Sequence, residues 1–363
     1  MELGIHGLNG RAATDPAEAV RLAQRAEELG YRSWWAADHV VLPAEPPDPA
    51  NPPSTVLVEP LVQLAFVAAV TRQLELASGV VILPQRDPLL LAKQAASLDV
   101  LSRGRFRLGI GASGPQVMEG WHGVRFRRPV QATRETIEIV RLISRGDRLD
   151  YHGQVYDLPL PASQGRALRS MAAPVHVPVY VAAIGPANLR LTGELADGWL
   201  GNTFIAESAE VFLGPLRAGA RLAGRTLADL DLQVPVAVEF TDDVDEAVAR
   251  HSAGYAFTIG AMGSATKNFY NDAFARQGFG EQVAEVQRLW RDGRRDEAAR
   301  LVPHEIGQKT NLLGTPAMIA ERIRLNRAAG VSTLSLKLDG PLRTRLDTLA
   351  RVIDLVAEIN RAG

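Results

Sequence analysis

Two periodicities alternate along this chain. Short apolar runs recur, separated by longer stretches in which apolar positions return every three or four residues. The runs are LGIHGL (3–8), RSWWAA (32–37), LELASGVVIL (74–83), FRLGIGA (106–112), PVYVAA (178–183), GWLGNT (198–203), LQVPVAVEF (232–240) and STLSLKL (332–338). Apolar runs of this length read as strands buried on both faces, and the longer period reads as helix. Helix starts carry chemical marks. Asp15-Pro16 and Asp87-Pro88 pair a capping carboxylate with a proline, whose missing N–H costs nothing in a first turn. Gly30 stops the first helix, Pro129 opens one running to residue 145, and Pro186-Ala187-Asn188 opens another. Eight strands, each followed by a helix, predict an α/β fold, a (β/α)8 TIM barrel forming a single domain over residues 1–363.

Two stretches interrupt the rhythm. Residues 41–58 are Pro-rich and predict a long loop after strand two, a lid over the barrel mouth. Residues 254–310 contain NFYNDAFARQGF and EQVAEVQRLWRDGRRDEAARLV, which predict a helical insertion of two or three helices before the last βα unit.

Composition narrows what such a barrel does. Lys and Arg number 40 against 41 Asp and Glu, so no charge excess points to nucleic acid or a membrane surface. No run approaches the ~18 apolar residues of a membrane span. The start, MELGIHGLNG, lacks the basic and apolar regions of a signal peptide, so cytoplasm is the expected compartment. With no cysteine, disulfides and thiolate catalysis are excluded. The histidines show no H-x-H or H-E-x-x-H spacing, so no metal is expected. Neither a G-x-S-x-G elbow nor a P-loop occurs.

Chemistry in such a barrel sits at the C-terminal ends of its strands. Strand one offers His6 and Asn9 there, strand two Asp38 and His39, strand three Ser78, Gly79 and Val80. Asp38-His39 pairs a carboxylate with an imidazole that can carry a proton near neutral pH; as a plain structural pair, Asp38 caps a turn and His39 packs under the loop. Ala182-Ala183-Ile184-Gly185-Pro186 ends strand five and opens a helix, whose free N–H groups suit a phosphate or simply make a turn. Strand four offers the stretch from Gly111 to Glu119. There Gly109, Gly111 and Gly114 are spaced G-x-G-x-x-G, as in a dinucleotide-binding fingerprint. That fingerprint belongs after a first strand, with an acid at the tip of a second. Here it follows the fourth, and the acid at the right distance, Glu135, falls in a helix-period segment (TRETIEIVRLI). Glu119 and His122 lie near Trp121, and a carboxyl beside an aromatic wall can serve as an acid.

The ordered set of strand ends is more specific than any one of them. WWAADHVVLP, the stretch LASGVVILPQRDPLLLAKQAASLDVLSRGRFRLGIGASGPQVMEGWHGVRFRRP, and VPVYVAAIGPANLRLTGELADGWL together resemble the bacterial luciferase-like superfamily, and SGPQVMEGWHG resembles its coenzyme F420-dependent oxidoreductase branch. The resemblance covers nearly the whole chain. It implies hydride transfer between coenzyme F420 and a small organic substrate, with the reduced coenzyme as donor, and it implies a homodimer. It implies that Asp38 hydrogen-bonds the deazaflavin ring system and that His39 and Glu119 are the acid-base candidates. Gly79-Val80 resembles the family's non-prolyl cis peptide, which backs the ring. Gly111, Ala112, Ser113, Gly114 and Gln116 would line the ring edge and ribityl chain, and Ala182, Ala183, Gly185 and Pro186 the phosphate turn. Two alternatives stay open: an FMN-dependent monooxygenase on the same fold, and a non-catalytic flavin-binding relative.

Overall fold

The computed structural model describes residues 1–7, 9–10, 14–41, 56–162, 165–262 and 268–362. Residues 42–55, most of the expected Pro-rich lid, and 263–267 of the expected insertion lie outside the described residues. Eight parallel strands close on themselves: β1 (Glu2–His6), β2 (Ser33–Ala36), β3 (Glu75–Ser78), β4 (Phe106–Gly111), β5 (Val179–Ala182), β6 (Gly198–Leu200), β7 (Asp231–Phe240) and β8 (Thr333–Lys337). Each pairs with the next, and β8 returns to β1 in the register Glu2↔Thr333 through His6↔Lys337. This is the expected (β/α)8 barrel. Among the described residues no helix is long and apolar enough to cross a membrane.

The helices outside the barrel start where the sequence marks them. Asp15 accepts the N–H groups of Ala17 and Glu18 at the head of α1 (Pro16–Leu29), and Gly30 closes that helix at φ 85°. Asp87 does the same for Leu89 and Leu90 of α3 (Pro88–Ser102). The helices α2 (Pro60–Val70), α4 (Pro129–Ser144), α5 (Pro186–Leu195), α6 (Glu210–Leu222), α12 (Pro316–Ala328) and α13 (Leu342–Ala362) complete the ring. Their apolar stripes meet the outward strand residues in one large core.

The barrel's interior decides where ligands can go. At its lower end the Asp231 carboxylate accepts from Tyr180 (3.0 Å), Gln233 (2.8 Å), Ser332 (2.6 Å) and Thr333 (3.0 Å), so this buried polar layer is satisfied from within. Above it Trp35 stands edge-on to Tyr180, with ring centroids 5.3 Å apart, and packs with Ala77 and Leu200. That plug fills the barrel beneath the open space at the strands' C-terminal ends.

Four stretches depart from the sequence expectation. Strand three stops at Ser78, just before the cis Gly79–Val80 peptide; Val81–Ile82 then pairs with the end of β4, and Leu83–Gln85 forms one 3-10 turn. The insertion has more helices than expected: after α7 (Val244–Ala261) come α8 (Phe269–Phe274), α9 (Gly280–Arg291), α10 (Arg295–Leu301) and α11 (His304–Lys309). Glycines at positive φ, Gly278 (99°) and Gly293 (80°), break its periodic segments, and the pieces fold over a small core including Phe274, Val286 and Ile306. The segment Gln116–Trp121 is wound into a wide π-type helical turn rather than a loop. Finally, residues 151–158 form a short hairpin between α4 and β5. Buried Glu135 holds it by accepting the N–H groups of Gln154, Val155 and Tyr156 at 2.7–2.9 Å.

Candidate active site

A cavity of about 650 Å³ fills the barrel mouth. Of the predicted site residues, Asp38, His39, Gly79, Val80, Gly111, Ala112, Ser113, Gly114, Ala182, Ala183, Gly185 and Pro186 all line it. Gln116 and Glu119 do not. The Gln116 amide folds back over its own turn, 3.6 Å from where a Cβ on Gly120 would stand. Glu119 is exposed and accepts the N–H of Phe126 at 3.0 Å. The reason is the winding of Gln116–Trp121: it turns Val117 and Met118 inward and Glu119 outward. His122 is also drawn away, its Nε2 lying 3.1 Å from the Gln85 amide.

One wall is made by missing side chains. A Cβ on Gly109 would stand 1.9 Å from the Ser78 carbonyl oxygen, and one on Gly111 would stand 2.7 Å from Val80 Cγ2. The Ser78 hydroxyl donates to the Gly109 carbonyl (2.8 Å) and accepts the Gly109 N–H (2.9 Å), so the two strand ends are locked together. The glycines of GIGASG therefore let β3, its cis peptide and β4 approach closely. Ser113 then turns the chain at φ 63°. A dinucleotide fingerprint is ruled out by this setting, and Glu135, its would-be acidic partner, is spent on the hairpin.

The adjoining β8–β1–β2 side carries ionisable groups. His6 ends β1, His39 follows β2 and Lys337 ends β8; all three line the cavity. His6 packs against Gly79, 3.0 Å from a would-be Cβ, and its Nδ1 is buried without a hydrogen-bond partner. Burial first, then Lys337 and His39, lower the His6 pKa to about 3, so it is neutral at pH 7. His39 opens onto the lumen with protein around it; burial pulls its pKa below the ordinary histidine value, and Asp38 partly restores it. Lys337 is likewise pulled down by burial, with Asp339 opposing. Asp38 itself is buried, and its Oδ2 accepts the Ile82 N–H (2.9 Å) and is paired with Arg86, which also pairs Glu59 at 2.8 Å. Buried Asn9, named at strand one, latches the chain instead: its amide donates to Ala37 O (2.6 Å) and Val58 O (2.7 Å).

The far end of the cavity is the head of α5. Gly185 is the N-cap, Pro186, Ala187 and Asn188 form the first turn, and no side chain supplies the cap bond. Asn188 Oδ1 is buried without a partner, and Arg276 lies beside it in the wall, donating to the Ile184 carbonyl at 2.6 Å. Free N–H groups, a helix dipole and a guanidinium make this end a place for an anionic group such as a phosphate.

Asn202, Tyr270, Arg276 and Lys337 also line the cavity and were not singled out from sequence. The strand-end rule, carried on to strands six and eight, points to Asn202 and Lys337. Tyr270 and Arg276 come from the insertion, where no local pattern signals a site. Among the described residues, no cluster of three or more His, Cys, Asp or Glu could hold a metal ion.

Comparison with known proteins bears on this geometry. The sequence profile of luciferase-like monooxygenases matches residues 1–333. The chain is 33% identical over 346 residues, 92% of its length and 94% of the relative's, to a Mycobacterium tuberculosis protein assigned by name to the coenzyme F420-dependent oxidoreductases. Among solved structures, the coenzyme F420-dependent tetrahydromethanopterin reductase of Methanopyrus kandleri superposes with a TM-score of 0.75 at 22% identity, covering 98% of both chains. A type II Baeyer–Villiger monooxygenase of Pseudomonas putida, in complex with FMN, superposes at 0.68 and 19%, covering 99% of this chain and 98% of that one. At these identities the structural matches establish the fold.

Proposed function

Since the chain belongs to the luciferase-like monooxygenase family, we propose that it is an oxidoreductase that binds coenzyme F420 and, with the reduced coenzyme, delivers a hydride to a small organic substrate. The observation that carries this reading is one cavity whose β3–β4 wall, kept low by Gly79, Gly111 and Gly114, suits a flat ring and whose far end, at the head of α5, suits a phosphate. The full-length match to a relative bearing the F420-dependent name supports the choice among ring cofactors.

The residues fit the group. Gly79-Val80 and Gly111 to Gly114 would back the ring and its edge, Ala182 and Ala183 the chain below it, and Gly185, Pro186, Asn188 and Arg276 would hold the phosphate. The coenzyme supplies the hydride chemistry, since deazaflavin has carbon where flavin has its reactive nitrogen; the protein supplies position, electrostatics and a proton. His39 is the group for the proton. It faces the lumen; burial disfavours its charged form and the neighbouring Asp38 favours it, so the imidazole can take up and then give the proton that the substrate gains with the hydride. Glu119 faces away from the cavity and takes no part in this reading. Phe126, Met262 and Phe269 line the cavity with apolar surface and keep water from it.

Titration with each cofactor tests the assignment. Coenzyme F420 is expected to bind at micromolar concentration or tighter, read by quenching of its fluorescence. Tight binding of FMN with none of the deazaflavin overturns it in favour of a monooxygenase. Cofactor binding without turnover over a broad substrate panel would indicate a non-catalytic relative.

A further inference from the structure

The β8–β1 side of the cavity holds hydrogen-bonding capacity that the reading above leaves unused. Lys337 and His6 are register partners on adjacent parallel strands, and both side chains enter the barrel mouth. Lys337 makes no hydrogen bond or ion pair to any described residue; Asp339, beyond the strand end, only favours its charge. His6 Nδ1 is buried and unpartnered. The neighbouring surface is apolar, from Val80, Ile82, Leu200 and Pro235. An ammonium without a protein partner beside such a surface is expected where a ligand completes it.

We propose that Lys337, beside His6 at the end of β1, holds a carboxylate of the substrate, and that the substrate is a carboxylic acid on an otherwise apolar frame. This deepens the reading of the cavity as a coenzyme F420 site and rests on it. Two features select a carboxylate over a phosphate at this end. One ammonium matches one negative charge. The walls that would hold the rest of the molecule are apolar. The charged and titratable groups that act on Lys337 are His6 on β1, His251 on α7 and Asp339 after β8, with His39 acting on His6. Burial disfavours charge on all three histidines, which leaves the Lys337 ammonium, favoured by Asp339, as the charge a monoanion matches.

The test compares 3-phenylpropionate with 3-phenylpropionamide, its neutral near-isostere, by calorimetry on the full-length protein with and without oxidised coenzyme F420. The wild type is expected to prefer the carboxylate by about tenfold or more, and Lys337→Met to abolish that preference. Equal binding of the two probes, or a preference that survives in Lys337→Met, overturns the proposal. A second readout needs no variant. The chain has four lysines, Lys93, Lys267, Lys309 and Lys337, so peptide mass spectrometry resolves the rate at which trinitrobenzenesulfonate modifies each. 3-Phenylpropionate should slow modification of Lys337 about tenfold while the amide does not; no protection by the acid sinks the idea. The coenzyme titration is read separately. A carboxylate preference in a protein that fails to bind the coenzyme upholds the Lys337 site and removes the F420 reading.

Discussion

The two sides of the cavity are built by opposite means. The β3–β4 side is defined by space: Gly109 and Gly111 are places where neighbouring atoms occupy the room a side chain would need. The β8–β1–β2 side is defined by charge: His6, His39 and Lys337 bring ionisable groups to the mouth, and the protein around them pushes each toward its neutral form. A substitution on the first side is felt as a steric clash, and one on the second as a change in proton affinity. The first kind of defect should appear in stability at any pH, the second in turnover and in pH dependence.

Substitutions can break this contrast, beginning where the two sides meet. Arg86→Met leaves the Asp38 carboxylate buried without its cation, and losing one partner of a buried pair costs about 3–5 kcal/mol. Denaturant unfolding should show that loss; an unchanged midpoint would mean Asp38 finds another partner. Gly109→Ala places its Cβ against a backbone carbonyl that cannot rotate away, so about 3 kcal/mol is expected, the upper end for overpacking. Gly185→Ala is its control: nothing lies within 4 Å of its Cβ, so about 1 kcal/mol or less should be lost. Similar melting temperatures for the two would refute the steric account of the wall. On the charged side, His39→Ala should lower turnover about a hundredfold or more while coenzyme affinity changes only a few-fold. Full turnover in that variant would remove His39 as the proton carrier.

The last effect is a slope with pH. His6 has a pKa of about 3 when folded and about 6.5 when unfolded, so between these values the unfolded chain binds the extra proton. Its contribution is fully present above pH 6.5 and is lost as pH falls from there toward 3, at up to about 1.4 kcal/mol per pH unit. His6→Gln should therefore flatten the fall in stability across that window. An unaltered slope would mean His6 is protonated in the folded protein.

Much of this was legible in the chain because it is local. Asp15-Pro16, Asp87-Pro88 and Gly30 mark helix ends through hydrogen bonds and dihedrals that span only a few residues, and the structure uses them as read. Strand ends are as legible, since a barrel sends every strand's C-terminus to one face; Asp38, His39, Gly79, Gly111 and Gly185 meet in one cavity for that reason. Glu119 shows where this stops. Its sequence distance from Gly111 is short, but a single wide turn of helix decided which way it faces, and the turn depends on Val117 and Met118 finding apolar partners elsewhere in the fold.

The apolar rhythm was enough to determine the number and order of the barrel strands, because alternating periods admit few ways of burying every apolar face. The meaning of GIGASG was left to tertiary structure. Its spacing matches a nucleotide fingerprint, and only the Ser78 carbonyl lying where a Gly109 side chain would be shows that these glycines serve strand approach. The pairing of Lys337 with His6 was equally out of reach. They are neighbours because the barrel closes β8 onto β1, and closure joins residues from the two ends of the chain whose proximity no local pattern encodes.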